Sequence, residues 1–163
     1  MSKQGAGQAE APGTSRRRSL DPLLLERLAE TGFLATEFGM DDHAESIFRC
    51  LARLRPGQPS PLIALAMVHA RRGLMAQAIG ELRELLAERP ECAMAKAVLA
   101  TMLVHDRQAG ALQLCEEVLA NATDPRAADV VRACIELARQ QEAQPRAANR
   151  ESLEFFRHYN LRA

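Results

Sequence analysis

The sequence predicts an all-α fold of stacked helical hairpins, and three observations lead to this prediction. From Leu20 onward, leucine and alanine recur at helical spacing almost to the end, and no stretch alternates polar and apolar residues as a strand would. Breaks of only a few residues separate the helical segments, so successive helices must turn back on each other. A glycine-to-proline segment also occurs twice with the same length, at 39–56 and at 73–90.

The predicted helices span residues 21–38, 41–54, 60–72, 75–88, 91–105, 108–121 and 125–142. Each break between them has a local cause. Gly39 and Gly73 can take the left-handed conformation that ends a helix. Asp124 is a good N-cap for a helix that begins at the next residue. Prolines, which cannot continue a helix but suit its first turn, stand at several of the breaks: Pro56, Pro59, Pro90 and Pro125.

Helix pairs with a period of about 34 residues are typical of tetratricopeptide repeats, and the two glycine-to-proline segments have this offset. With Leu25 as the first position, the small residue required at position eight is Gly32, then Ala66, then Ala100. The third repeat departs from the pattern, because Arg107 stands where a turn glycine is expected. We therefore predict a tetratricopeptide-repeat-like superhelix with two regular repeats, one degenerate repeat and a C-terminal capping helix. The alternative is an unrelated leucine-rich bundle that has this period by chance.

A chain of 163 residues is long enough for one domain with an apolar core. We predict an N-terminal disordered arm over 1–19, because its Gly, Ala, Gln, Ser and Arg residues show no apolar period. The repeat domain is predicted over 20–143. The tail, 144–163, carries Phe155, Phe156 and Tyr159 and can form a short amphipathic helix. This helix folds back on the last repeat, occupies a groove until a partner displaces it, or docks onto another subunit.

The composition argues against several classes of function. The 21 basic and 21 acidic residues balance, which leaves no strong field to hold nucleic acid or an anionic membrane. No apolar run approaches the roughly 20 residues of a spanning helix, and the N-terminus lacks the apolar region of a secretory signal. We therefore expect a cytoplasmic protein with no membrane insertion, and its richness in alanine, leucine and arginine hints at a bacterial genome.

The sequence gives little indication of a catalytic site or a metal site. The four histidines are scattered, and neither a phosphate-binding loop nor a nucleophile motif is present. The four cysteines show no C-x-x-C pair and lie inside helical patterns, which favours small, buried, reduced thiols. We predict a protein that is not an enzyme and that uses no cofactor and no metal.

In a curved stack of such repeats, the first helix of each pair lines the concave side. The inward positions of these helices are mostly apolar and small, which suits an amphipathic helix as a ligand. Methionines at helical spacing are also common in an ordinary hydrophobic core, which is the alternative to a binding groove. On the groove interpretation, Met67→Glu should abolish partner binding and leave helicity intact. The predicted partner-binding residues are Phe33, Thr36, Ile63, Met67, Ala70, Met94, Ala97, Thr101 and Val104.

Two segments, LLLERLAETGFLATEFGMDDHAESIF at 23–48 and TDPRAADVVRACIELARQ at 123–140, resemble the small tetratricopeptide chaperones of bacterial type III secretion, in particular those that hold the needle subunit. The resemblance implies that the concave face binds the C-terminal amphipathic helix of a self-assembling needle subunit and keeps it unpolymerised. It also implies a small helical co-chaperone near the first repeat, for which Leu23, Leu24 and Leu28 are the candidate surface. A translocator chaperone of the same system, or a generic scaffold that forms homo-oligomers, are the alternatives.

Overall fold

The computed structural model describes residues 21–121 and 124–143, together with the side chains of all of these except 142 and 143. Within these ranges the chain forms seven α-helices and no strand, which confirms the all-α prediction. The predicted arm, 1–19, and the predicted tail, 144–163, lie outside the described residues. The helices are α1 (Pro22–Glu37), α2 (Asp41–Leu54), α3 (Ser60–Arg71), α4 (Met75–Glu88), α5 (Ala93–His105), α6 (Ala111–Asn121) and α7 (Pro125–Ala143).

The helices pack as three hairpins and a final helix. The hairpins are α1 with α2, α3 with α4, and α5 with α6, and the second helix of each packs against the helix that follows it. In addition, α3 packs against α5, and α5 packs extensively against α7. This order of contacts agrees with the tetratricopeptide-like arrangement, in which each hairpin buries one face against the next.

The three hairpin turns share a left-handed residue just after the first helix of the pair. Gly39 and Gly73 have φ of 72° and 82°, and Arg107 has φ of 54° at the equivalent place. In each turn the following residue donates its amide to a carbonyl near the end of the preceding helix, as in the 2.8 Å bond from Gln108 N to Leu103 O. The third repeat therefore keeps the turn although it lacks the glycine.

Two apolar clusters hold the stack together. The first core cluster joins α1, α2 and the adjoining face of α3 and includes Leu25, Phe48 and Leu51. The second core cluster extends from α3 to α7 and includes Met102 and Val131. The small residues predicted at position eight lie at close contacts between helices, since Ala66 and Ala100 are fully buried.

The two ends of the stack differ. Among the described helices, α1 packs extensively only against α2. At the other end, α7 buries Ala127, Val131 and Cys134 and turns a charged surface outward, where Arg132 pairs with Asp129 at 2.6 Å. A polar outer face agrees with the predicted role of α7 as a capping helix.

Candidate functional site

The predicted concave groove along α3 and α5 is not open, and this part of the sequence-based prediction is wrong. Most residues of α3 and of α5 are buried, because these two helices are apolar on nearly every side and lie between neighbouring hairpins. Met67, for example, is only 7% exposed. Six of the nine predicted partner-binding residues therefore belong to the protein interior: Ile63, Met67, Ala70, Ala97, Thr101 and Val104.

The other three predicted residues are partly buried. Phe33 packs against Phe48 with ring centroids 5.0 Å apart. The Thr36 hydroxyl donates to the carbonyl of Gly32 at 3.0 Å, within α1. Met94 packs against the second core cluster. Of the nine, Phe33 alone lines the cavity described next.

An open cavity of about 70 Å³ lies where α1, α2 and α3 meet, and we call it the notch. α1 packs mainly against α2, and the notch opens beside the first core cluster, through which α1 and α2 reach α3. Its walls are mainly apolar, while exposed Glu26 and half-buried Arg55 bring opposite charges to its edge. The lining residues are Leu25, Glu26, Ala29, Phe33, Phe48, Leu51, Arg55, Gln58, Ser60, Pro61 and Ala64.

Large apolar side chains also stand exposed along the outer side of α1 and at its C-cap, and we call Leu23, Leu24, Leu34 and Phe38 the outer stripe. Their exposure ranges from 51% at Leu34 to 78% at Phe38. Of the three residues predicted for a co-chaperone surface, Leu23 and Leu24 are exposed here, whereas Leu28 is half-buried against the first core cluster. Leu34 and Phe38 were missed, although they follow Leu23 by nearly whole numbers of helical turns and so share its face.

A polar cluster ties the first hairpin to the second. His69 is 3% exposed, with its Nδ1 2.8 Å from Glu81 Oε2 and its Nε2 3.7 Å from Glu45 Oε1. Gln77 donates to Glu81 at 2.8 Å, and Arg72 pairs with Glu45. One buried imidazole thus bridges carboxylates from α2 and α4.

The described residues contain no group of three or more histidine, cysteine, aspartate or glutamate side chains arranged to hold a metal ion. All four cysteines are free thiols. Cys115 and Cys134 are buried as expected, whereas Cys92 is half-buried and Cys50 is exposed, against expectation. None of the helices that the structure describes has the length and apolar character needed to cross a membrane.

Within the described residues, the fold and these surfaces define an all-α protein of stacked helical hairpins with an apolar notch and an exposed apolar helix face at one end. The family model described as "Bacterial type III secretion protein (HrpB1_HrpK)" matches residues 17–142, and the chain belongs to this family. Searches of curated proteins and of solved structures found no match. The type III secretion part of the predicted resemblance is thereby confirmed.

Proposed function

We propose that this protein is a type III secretion chaperone that binds an amphipathic helix of a self-assembling needle subunit and keeps the subunit unpolymerised in the bacterial cytoplasm. Membership of a type III secretion family supports a role in that secretion system, and the notch supports the proposed mode of client binding. The binding site moves from the predicted concave groove to the notch, since the groove residues are buried. The role proposed is binding, without catalysis.

The size and lining of the notch suit one large apolar side chain of a client helix. A cavity of about 70 Å³ is several times the space that a water molecule needs. Anchors of this kind carry much of the affinity when they enter a preformed apolar pocket. Turns of the client on either side of the anchor would lie across α1 and α3, within an interface of roughly 800 Å² per partner.

Charge at the edge of the notch gives the client helix a preferred direction. Glu26 and Arg55 lie in different parts of the first hairpin and have opposite signs. A client with a basic residue on one side of its apolar anchor and an acidic residue on the other would meet complementary charges in one direction only. Such pairs contribute more to specificity than to affinity.

The outer stripe is the proposed surface for a small helical co-chaperone. Its four residues lie along one side of α1 and its C-cap, and the predicted Leu23 and Leu24 belong to it. Exposed apolar side chains of this kind are buried when a partner helix packs against them. Client and co-chaperone would then use two different sides of the same helix.

Co-expression with candidate needle subunits, followed by native mass measurement of the purified complex, tests the proposal. Ala29 is half-buried in the notch wall, so Ala29→Glu should abolish capture of the client. Ala87→Glu places the same charge on the exposed side of α4 and should leave capture unchanged. Circular dichroism checks that both variants are folded. If Ala29→Glu still retains the client, the notch is not its binding site.

A second candidate function is a scaffold that forms homo-oligomers through the outer stripe. The exposure of Leu34 and Phe38 favours it, because a second copy could cover these side chains as well as a co-chaperone could. Purification distinguishes the two candidates. A monodisperse oligomer of the protein alone supports the scaffold, and solubility only with a small helical partner supports the chaperone.

The client could also be a translocator of the same system, and the same co-expression experiment covers this alternative when translocators are included. The cytoplasmic location is a separate prediction. Fractionation of cells that carry the chain with an epitope tag tests it, and recovery in the periplasmic fraction would contradict it.

A further inference from the structure

Cys115 and Cys134 are adjacent inside the last part of the stack. The two sulfur atoms lie 3.8 Å apart, one on α6 and the other on α7. The exposed fractions of the two residues are 1% and 0%, and both are free thiols. The contact between these two helices thus brings two thiols together within the core.

The two thiols are not equivalent. The Cys115 thiol donates a hydrogen bond to the Cys134 sulfur, which lowers the pKa of Cys134, and the Thr101 side chain on α5 acts in the same direction. The same bond to Cys134, together with burial, raises the pKa of Cys115. Burial acts in the opposite direction on Cys134, but the two hydrogen bonds outweigh it, so its pKa is lowered and its thiolate, the reactive form of cysteine, is favoured.

We propose that Cys115 and Cys134 are a redox pair, which a small peroxide oxidant converts into a disulfide that joins α6 to α7. In the first step the Cys134 sulfur attacks an oxygen of hydrogen peroxide, forming a sulfenic acid and releasing water. In the second step the Cys115 sulfur attacks the Cys134 sulfur, the sulfur–sulfur bond forms, and a second water leaves with the remaining thiol proton. Two thiols are oxidised and one peroxide is reduced to two waters.

The geometry requires only a small movement. A disulfide has a sulfur–sulfur distance of about 2.05 Å, so the sulfur atoms must approach by roughly 1.8 Å. Among the described helices, α7 packs extensively only against α5 and α6 and is the last of the stack, so a slight shift of this helix disturbs no further hairpin. Terminal elements of this kind also open most easily, which gives peroxide access to buried thiols.

The disulfide would fasten the capping helix. α7 covers α5 as well as α6, and Thr101 on α5 lies against Cys134. A covalent link between α6 and α7 therefore keeps the interior face of α5 closed. This inference does not depend on the proposed chaperone function.

Peroxide treatment of the full chain, followed by alkylation and tryptic mapping without reductant, tests the pair. Trypsin separates the cysteines, because Cys115 falls in peptide 108–126 and Cys134 in peptide 133–139. We expect these two peptides to be linked as the main product and to separate on treatment with dithiothreitol. If the native protein forms no such link while the exposed Cys50 is oxidised, the proposal is wrong.

The same treatment in urea provides the control for chance pairing. Cys115 stands at a similar distance along the chain from Cys92 on one side and from Cys134 on the other. Loops of such similar length close with nearly equal ease in an unfolded chain, so the denatured protein should give both links. The native protein should give the link to Cys134 alone, and an identical mixture in both conditions would overturn the proposal.

A stability measurement separates a link that fits the fold from one that distorts it. Oxidised protein should unfold at a higher urea concentration than reduced protein, and dithiothreitol should remove the difference. A Cys50→Ser, Cys92→Ser double variant should keep the whole shift, since neither residue belongs to the pair. A lower midpoint on oxidation would contradict a pair preformed in the native fold.

Discussion

Gly32 on α1 lies directly against the ring of Phe48 on α2. A methyl group at Gly32 would stand 2.8 Å from Phe48 Cζ and 2.9 Å from Cε1, closer than side chains pack. Phe48 is buried and packs against Phe33, so its ring has little room to move. The first hairpin therefore depends on a residue without a side chain at its crossing point.

Gly32→Ala should destabilise the protein. Overpacking against Phe48 costs about 1–3 kcal/mol, and the better helix propensity of alanine returns up to about 1 kcal/mol. We expect the free energy of unfolding, measured by urea denaturation, to fall by about 1–2 kcal/mol as the balance of these two effects.

Gly80 in α4 provides the matched control, because nothing lies within 4 Å of a methyl group added there. Gly80→Ala should raise the free energy of unfolding by about 0.5–1 kcal/mol through helix propensity alone. Equal effects at both glycines would contradict the close contact at Gly32.

Arg107→Gly should stabilise the third hairpin turn. Arg107 has φ of 54°, and a residue with a side chain in this left-handed region costs roughly 1 kcal/mol. We expect a gain of about 0.5–1 kcal/mol in the free energy of unfolding. The reverse exchange, Gly73→Arg, should lose about 1 kcal/mol, since Gly73 has φ of 82°. A loss of stability in Arg107→Gly would mean that the arginine side chain supports the turn.

His69→Leu should weaken the junction between the first two hairpins. The substitution keeps the volume and removes both contacts of the ring with Glu45 and Glu81. Loss of a buried polar partner costs about 1–3 kcal/mol, which urea denaturation would detect. His43→Leu, on the exposed side of α2, should stay within about 0.5 kcal/mol of the parent protein. Similar losses at both histidines would argue against the bridge.

The Lys96–Glu117 pair makes the α5–α6 contact sensitive to acid. The hydrogen bond from Lys96, 2.7 Å long, holds the pKa of Glu117 below its ordinary value. The folded protein then binds fewer protons at this carboxyl than the unfolded chain does, so the stabilising effect is present at neutral pH and is lost as the pH falls below about 4. Parent protein should be more stable than Glu117→Gln at pH 7, and the difference should disappear in acid. Glu116→Gln controls for the change in net charge, and a constant difference across pH would contradict the prediction.

Met67→Glu should unfold the protein and so cannot test partner binding, contrary to the expectation from the sequence. Met67 is a member of the second core cluster, and a carboxylate there has little access to solvent. We expect a loss of at least about 3 kcal/mol, measured by thermal or urea unfolding. If Met67→Glu keeps the parent stability, the face of α3 that carries Met67 is open after all.

The helices and turns were predictable from local signals. Four helices begin at the predicted residue, including α2 at Asp41 and α7 at Pro125, because glycine and proline mark these boundaries through backbone geometry alone. The largest difference is at α6, which begins at Ala111 and not at the predicted position 108. Arg107 and Gly110 both have positive φ, so two left-handed residues lengthen that turn.

The burial of the predicted groove residues could not be deduced from their positions in the repeat. A repeat position gives the side of the helix on which a residue lies, but it does not say what packs against that side. The composition of α5 indicates its burial more directly than the repeat positions do. Between Ala93 and His105 its only charged residue is Lys96, and a helix that is apolar all round is buried. The notch escaped prediction because it depends on how closely α1 approaches α3 in three dimensions, which the residue pattern of a single helix does not encode.

The exposed side of α1 carries the apolar outer stripe and that of α7 is charged, and this difference limits how copies of the protein can associate. Among the described residues, a subunit that adds through α1 presents a charged helix, α7, at its far side and no second apolar stripe for the next addition. Two subunits that meet stripe to stripe would therefore form a closed two-fold pair, which leaves neither outer stripe exposed for a further addition. On the proposed function, a chaperone that holds back a polymerising client would itself stop at such a pair.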